Sequence, residues 1–413
     1  MHIRFFSAVE PPFAYYRVLL PHLVRQGHTV EIVITDSEYR DQAGGAFPAF
    51  MERHGVRVNL VRVGAGKAGR GWRRVALYGR YVLSAVRRSL FGHAVDMNVF
   101  LTQPPLFFLW GMALKALRRQ RYGVVLMDLY PDVLVESGLA RRSAPHIRLA
   151  AWATRLGHRS ADALFAIGRC TREYMIRAGV RPERVHLTPN WSNDAVRPIA
   201  RLQNPLRDEL GLGDRFVVMY SGNIGVSHDF DDIIEVARRM KNEDGIRFVF
   251  AGDGSRRREL ERARDTEGLD NIVLLPFQPV ENLARSLALG DMHFVSLRER
   301  FEAVVVPSKT YSVLNAGRAI LYQGHTGGEI ARMVEEEDIG LVVAPGDADA
   351  LEAAVRRAMA DPQQVAAWGE RAHRLSQARY SQESAIQRYA DVFAKLHAGE
   401  APARRQGSVV AAS

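Results

Sequence analysis

Apolar residues along this chain gather in short runs that alternate with longer segments of helical period. MHIRFF (1–6), HTVEIVIT (28–35), VDMNVFLT (95–102), YGVVLMDLY (122–130), ADALFAI (161–167) and RVHLTPN (184–190) are short and apolar enough to be buried strands. Segments such as FAYYRVLLPHLVRQG (13–27) fall between them and predict helices. Strands separated by helices predict a parallel α/β sheet. The alternation pauses over DAVRPIARLQNPLRDELGLGD (194–214), which holds two prolines and no strand-like run. A second series then follows: RFVVMYSGN, IRFVFAGDG, NIVLLPFQP, MHFVSLR, VVVPSK, RAILYQG and GLVVAPGD. The chain therefore reads as two doubly wound domains, 1–195 and 214–378, joined by a linker at 196–213. Ligands of such sheets bind beyond the carboxyl ends of the strands, which for facing domains means the cleft between them.

Composition narrows the class. With 413 residues, 47% of them hydrophobic, the chain fills two ordinary cores, and its single cysteine, Cys170, excludes an intramolecular disulfide. The first strand abuts the initial methionine with no basic and long apolar leader, so a cytoplasmic location is expected. The most apolar stretch, 99–117, is broken by Pro104-Pro105 and carries Lys115, which predicts strand, turn and buried helix rather than a membrane span.

The formal charge of +10 is unevenly spread. Residues 62–93 contain no Asp or Glu, and their Lys and Arg residues are interleaved with Trp72, Tyr78, Tyr81 and Phe91. Trp72, Arg73, Arg74, Arg87 and Arg88 are thus candidates for contact with an anionic membrane surface, peripheral at the inner face; a solvated basic helix face is the alternative. No nucleic-acid motif accompanies the charge.

Candidate chemistry sits at the strand ends of the second series. In VVMYSGNIGVSHDFDDIIEVARRM (217–240), Gly222 and Gly225 open a loop between strand and helix, where glycine lets the backbone approach a ligand and free amides favour an anion. The loop lacks both the G-x-G-x-x-G fingerprint and the Walker lysine, so dinucleotide and ATP-hydrolysis readings lose support. Asp229, Asp231 and Asp232 precede a helix and predict capping rather than a metal site. Gly252-Asp253-Gly254 repeats the device, and Pro307-Ser308-Lys309 adds a cation at a third strand end. Together the three ends describe a phosphate-bearing ligand. His158, His186 and His293 lack metal-ligand spacing and predict surface or packing roles.

YSGNIG, AGDG, LLPFQP and PSKTYSVLNAGRAI, in this order and spacing, resemble the nucleotide-binding half of family-four retaining glycosyltransferases of the GT-B fold. TQPPLF (102–107), DLYPD (128–132) and TPNWSND (188–194) resemble the bacterial subgroup that builds surface polysaccharides and other glycoconjugates, and the resemblance covers about residues 1–395. It implies two facing Rossmann-like domains, a C-terminal helix over 379–397 that packs back on the first domain, and a disordered tail at 398–413. It also implies a nucleotide-diphosphate sugar, UDP-linked, as co-substrate, with no further cofactor and no metal.

By this resemblance Pro307, Ser308 and Lys309 form the diphosphate loop: Ser308 caps the helix, the amides of Lys309 and Thr310 meet a phosphate, and Lys309 supplies a full charge. Gly222, Asn223, Gly225, Gly252, Asp253, Gly254 and Phe277 complete the donor side. Ser312 stands where relatives carry a ribose-binding glutamate and Val304 where they carry an earlier one, with Glu302 the nearest carboxylate in sequence. Asp128, Lys309 and Glu302 are the catalytic candidates. Ser7, Glu10, Pro11, Tyr130 and Asp132 are candidates for the sugar and acceptor side. The expected activity is retaining, metal-independent transfer of a hexose or N-acetylhexosamine to a lipid-linked glycan or a small-molecule hydroxyl. A non-catalytic nucleotide-sugar-binding partner and a nucleotide-sugar 2-epimerase are the alternatives.

Overall fold

A computed structural model of the chain describes residues 1–8, 13–35, 46–62, 72–192 and 195–398. The first domain is a seven-stranded parallel sheet of β1 (His2–Phe6), β2 (Thr29–Thr35), β3 (Arg57–Val61), β4 (Met97–Leu101), β5 (Arg121–Leu126), β6 (Ala163–Ala166) and β7 (Val185–Leu187). Their order is β3-β2-β1-β4-β5-β6-β7. The second domain holds β8 (Phe216–Ser221), β9 (Ile246–Ala251), β10 (Ile272–Leu275), β11 (Met292–Ser296), β12 (Ala319–Gln323) and β13 (Gly340–Val343), in the order β10-β9-β8-β11-β12-β13. All pairings are parallel. Each order reverses beside its first strand, and that switch point is where an α/β sheet opens a crevice at its carboxyl edge.

The central strands are buried on both faces, which is why β4 and β12 are apolar apart from the buried Asn98 and Gln323. Helix Trp72–Phe91 covers the first sheet with Tyr81 and Ala85 and leaves Leu83 and Phe91 exposed. Among the described residues no helix is long and apolar enough to cross a membrane, and the apolar stretch 99–117 resolves into β4 and helix Leu109–Arg118.

One strand expected from the sequence is absent, and one strand was not foreseen. The Val304-Val305-Val306 run is not a strand; the amides of Val304 and Val305 both donate to the Phe301 carbonyl at 2.9 Å, and the chain then runs as a loop to helix Lys309–Asn315. Val304 packs into the first domain's core beside Phe6 and Ala166, while Val306 packs into the second beside Tyr311 and Ile330. The triplet is buried because two domains share it. Strand β3 is the reverse case: at the sheet edge, with RVNLV largely uncovered, it carries no buried run to reveal it.

Residues 196–213 form a turn at Arg201–Gln203 and a helix at Pro205–Glu209, docked on the second domain. Arg207 Nη1 donates to the Leu289 carbonyl at 2.7 Å, and Asn315 Nδ2 donates to the Val196 carbonyl at 2.7 Å. Helix Gln382–His397 crosses back to the first domain, where Ile386, Tyr389 and Phe393 enter its core and Tyr389 stands edge-on to Tyr15. The tail from residue 399 onward lies outside the described residues.

The domains are clamped together. Gly168 opens helix Arg169–Arg177, and the Arg169 amide donates to Glu329 Oε2 at 2.5 Å while its guanidinium reaches Glu336 at 2.8 Å. Arg332 meets Glu173 at 2.9 Å in the same interface.

Candidate functional site

The carboxyl ends of β8 and β9 are locked together through their backbones. Gly222 N donates to Ala251 O at 2.9 Å, Ile224 N to Asp253 O at 2.8 Å and Arg256 N to Ile224 O at 3.0 Å. Gly252 sits at φ +145° and Gly254 at φ +156°, conformations that side chains with a Cβ rarely adopt. A Cβ on Gly252 would overlap the Gly222 carbonyl, and one on Gly254 the Ile224 carbonyl. The glycines are therefore fixed by loop-on-loop contact, whatever else approaches them.

Between the domains this loop pair faces an opening of about 440 Å³. Its walls bring together Asp128 from the first domain and Gly222, Asn223, Pro307, Ser308 and Lys309 from the second. Gly252, Asp253, Gly254 and Phe277 line a second cavity of about 770 Å³, with Arg257 and Arg258, and the Phe277 ring is 70% exposed there. Gly225 lines neither; its carbonyl accepts from His228 N at 3.2 Å and closes the turn.

Lys309 is the centre of the opening. Its residue is half-buried, yet its ammonium is tucked under protein: Nζ lies 3.7 Å from the Tyr220 ring centroid, donates to the Tyr220 hydroxyl, and stands 3.3 Å from His228 Nε2. Among the described residues no carboxylate pairs with it. Burial pushes its pKa well below the usual lysine range. His228 Nδ1 faces the Ser296 carbonyl at 2.5 Å, so Nδ1 carries the proton and Nε2 accepts from the ammonium. Burial, then the neighbouring ammonium, hold His228 neutral, its pKa pulled down to about 3. Tyr220 and His228 escaped sequence reasoning; the GVSHDF stretch directly after the glycine loop was the available signal.

Across the opening, burial pushes the Asp128 carboxyl up, with the Gln103 amide at 3.5 Å pulling the other way. Asp128 is positioned by its own amide, which donates to Thr102 Oγ1 at 3.2 Å.

Other expected residues fall elsewhere. Ser308 adopts helical geometry and makes no side-chain cap bond, so the expected cap is absent; the Thr310 amide donates to the Pro307 carbonyl at 3.1 Å and is not free for a phosphate. Ser312, on the same short helix, is half-buried and lines neither cavity. The Glu302 carboxylate is occupied: Oε1 accepts from the Glu329 amide at 2.7 Å and Oε2 from the Tyr322 hydroxyl at 3.2 Å. It caps helix Glu329–Glu336 away from the opening. Ser7 is buried at the end of β1, where its amide donates to Val33 O at 3.0 Å. Tyr130 and Asp132 line a separate cavity behind the Asp128 segment. Glu10 and Pro11 lie outside the described residues, as do the side chains of Trp72, Arg73 and Arg74. Arg87 and Arg88 line a basic groove of about 610 Å³ on the first domain, shared with Arg62, Arg80 and the exposed Leu83.

The aspartates at 229–232 are held by ion pairs and hydrogen bonds rather than gathered as ligands. Asp229 and Asp231 meet Arg256 at 3.4 and 2.7 Å, and Asp232 accepts from Gln323 at 2.6 Å.

Comparison with known proteins adds sequence and fold relationships. Residues 14–191 match the family described as a glycosyl transferase 4-like domain, and residues 215–361 match glycosyl transferases group 1. The chain is 31% identical over 271 residues to the putative colanic acid biosynthesis glycosyl transferase WcaI of Escherichia coli K12, covering 63% of this chain and 65% of that protein. It is 29% identical over 258 residues to the alpha-D-kanosaminyltransferase of Streptomyces kanamyceticus, covering 60% and 64% respectively. These matches span just under two thirds of the relatives' length. The fold is similar to the crystal structure of Anabaena Alr3699/HepE in complex with UDP, with a TM-score of 0.69, 15% identity, and coverage of 96% of this chain and 100% of the other.

Proposed function

This chain belongs to the family-four glycosyltransferases of the GT-B fold, and from that premise we propose that it moves a sugar from a UDP-linked donor to a hydroxyl of its acceptor with retention of anomeric configuration. The observation that carries the reading is Lys309 Nζ, buried without a carboxylate partner among the described residues and with its pKa lowered by that burial, at an opening whose far wall holds Asp128. An isolated buried charge is costly. A diphosphate seated there supplies the missing counter-charge and holds the amine protonated, and as the anomeric bond breaks negative charge gathers on the leaving phosphate. A fixed cation then stabilises the transition state more than the ground state.

Asp128 is proposed to orient the donor sugar or to take the acceptor proton; burial raises its pKa, which makes its carboxylate a stronger base. Charge neutralisation in this reading comes from Lys309 and needs no metal. The cavity at Gly252, Asp253, Gly254 and Phe277 is proposed for the nucleoside, and the UDP complex of the HepE neighbour supports that class of donor. A lipid-linked glycan is the acceptor proposed, supported by a relative named for colanic acid biosynthesis and by the basic groove at Arg87 and Arg88. A small-molecule acceptor is the alternative.

A second reading, nucleotide-sugar binding without transfer, is favoured by Ser312 and by the occupied Glu302 carboxylate. One assay separates the two: UDP release from UDP-glucose, UDP-galactose and UDP-N-acetylglucosamine with and without lipid-linked glycan acceptors. Transfer predicts acceptor-dependent UDP release that Lys309→Ala abolishes, with the product's anomeric configuration read by NMR. Donor binding with no release supports the second reading, and no binding of any donor overturns both.

A further inference from the structure

Behind the loop that carries Asp128 lies a third cavity, of about 310 Å³, lined by residues of the first domain and open to solvent on one side. It shares a wall with the interdomain opening: Asp128 and Val133 face that opening, whereas Leu129, Tyr130, Pro131 and Asp132 face this one. The remaining walls come from helix Pro145–Ser160 and helix Arg169–Arg177.

Two features of this cavity lack a purpose inside the protein. The first is polar atoms without partners in its depth. Thr154 and His158, one turn apart on the same helix, both line it and are only 6% and 4% exposed, yet Thr154 Oγ1 and His158 Nε2 have no hydrogen-bond partner within the protein. Buried polar groups are rarely left so, because each unmade bond costs on the order of 1–3 kcal/mol. The His158 ring is meanwhile fixed by stacking on Phe108 at 4.7 Å, so it cannot turn away to find a partner.

The second feature is charge. Arg142, Arg155 and Arg177 line the cavity against one carboxylate, Asp132. Asp132 is already satisfied, accepting from the Tyr174 hydroxyl at 2.9 Å and lying 3.5 Å from Arg142. Arg142 is further drawn to Glu136 at 2.6 Å. Arg155 and Arg177 are exposed and make no ion pair among the described residues, so two guanidinium groups stand free around an unfilled polar pocket.

From this arrangement we infer that the first domain binds a phosphate joined to a polyhydroxylated ring, with Arg155 and Arg177 on the phosphate and with Thr154 Oγ1 and His158 Nε2, closed off in the empty cavity, uncovered to meet ring hydroxyls as it fills. Guanidinium forks suit phosphate oxygens, and a neutral imidazole with a threonine hydroxyl offers the mixed donor and acceptor pair that sugar hydroxyls need. The volume admits one such ring. Because this ligand and the interdomain opening share the 128–133 segment, filling the cavity fixes the wall that presents Asp128. The site stands independently of what the interdomain opening binds.

The ligand has two sources, a free sugar phosphate or the head of a membrane lipid. Trp152 and Leu156, 57% and 42% exposed, flank Arg155 on its helix and would meet acyl chains in the second case.

The test titrates the full chain with glucose 1-phosphate, with glucose, and with phosphatidylcholine vesicles with and without phosphatidylinositol. Glucose 1-phosphate binding at least tenfold tighter than glucose supports a free ligand, and binding only to the phosphatidylinositol vesicles supports a lipid head. In either case Arg155→Glu with Arg177→Glu weakens binding at least tenfold; where glucose 1-phosphate binds, Thr154→Val narrows its preference over inorganic phosphate, titrated alongside. Both arginines are exposed, so the variant folds, checked by an unchanged melting temperature. Binding to neither probe at millimolar concentration, or binding that ignores the charge reversal, overturns the inference.

Discussion

Replacing Lys309 with methionine keeps an apolar stem and removes the amine together with its two polar contacts. In the ligand-free protein two effects oppose each other. The ammonium is buried without a carboxylate, a burial that costs several kcal/mol per ion, while its contacts to the Tyr220 hydroxyl and His228 Nε2 are worth about 1.5–3 kcal/mol each. These nearly offset, so Lys309→Met changes ligand-free stability by no more than about 2 kcal/mol. The ligand-bound state differs. UDP at about 100 times its dissociation constant stabilises the wild type by roughly 2.7 kcal/mol. Losing one charge-assisted phosphate contact of about 2 kcal/mol raises that constant about 30-fold. The same UDP concentration then stabilises the variant by only roughly 0.9 kcal/mol. At about 2–4 °C per kcal/mol for a domain of this size, a UDP-induced shift of roughly 5–11 °C shrinks to roughly 2–4 °C. Differential scanning fluorimetry against UDP, GDP, ADP and dTDP reads both quantities. A full-sized UDP shift in Lys309→Met would falsify the placement of the phosphate against this ammonium.

Three further outcomes are expected. Gly252→Ala forces a positive φ and drives a Cβ into the Gly222 carbonyl, so it destabilises the second domain by about 1–3 kcal/mol or more and removes UDP binding, as read by urea denaturation and calorimetry. Burial holds His158 and His293, one in each domain, at a pKa of about 4 against 6.5 when unfolded. The unfolded chain therefore binds more protons between these values, and stability that is full above about pH 6.5 is lost as pH falls toward 4, by up to order 3 kcal/mol per histidine; urea midpoints that stay flat from pH 7 to 4 contradict this. Arg87→Glu with Arg88→Glu is expected to lower binding to anionic vesicles at least several-fold, with the loss growing smaller as salt rises, and unchanged flotation removes the groove as a membrane contact.

The two-sheet architecture was legible because buried parallel strands leave short apolar runs that helices separate, and twelve-residue context suffices to see them. What escaped was set by tertiary environment. The valines at 304–306 carry the same apolar signal as a strand, and only the presence of two facing cores makes them a plug. Strand β3 has little burial to announce it. The glycine loops and Lys309 were visible as strand-end chemistry, whereas Tyr220 and His228, which hold the ammonium, look like ordinary core and loop residues until the strands are placed. The DLYPD segment was read as one surface, yet a single turn sends Asp128 to the interdomain opening and Asp132 to the cavity behind it.

Helix Gln382–His397 gives the first domain Ile386, Tyr389 and Phe393, residues synthesised only after the strands of the second domain. A ribosome therefore releases a first domain with an open apolar groove and keeps it so while the whole second domain is synthesised. The first core is therefore complete only once this helix is available to it. The same stitch means that neither domain can be cut free cleanly: an expression fragment ending before residue 382 leaves Phe5, Tyr15 and Phe165 facing solvent.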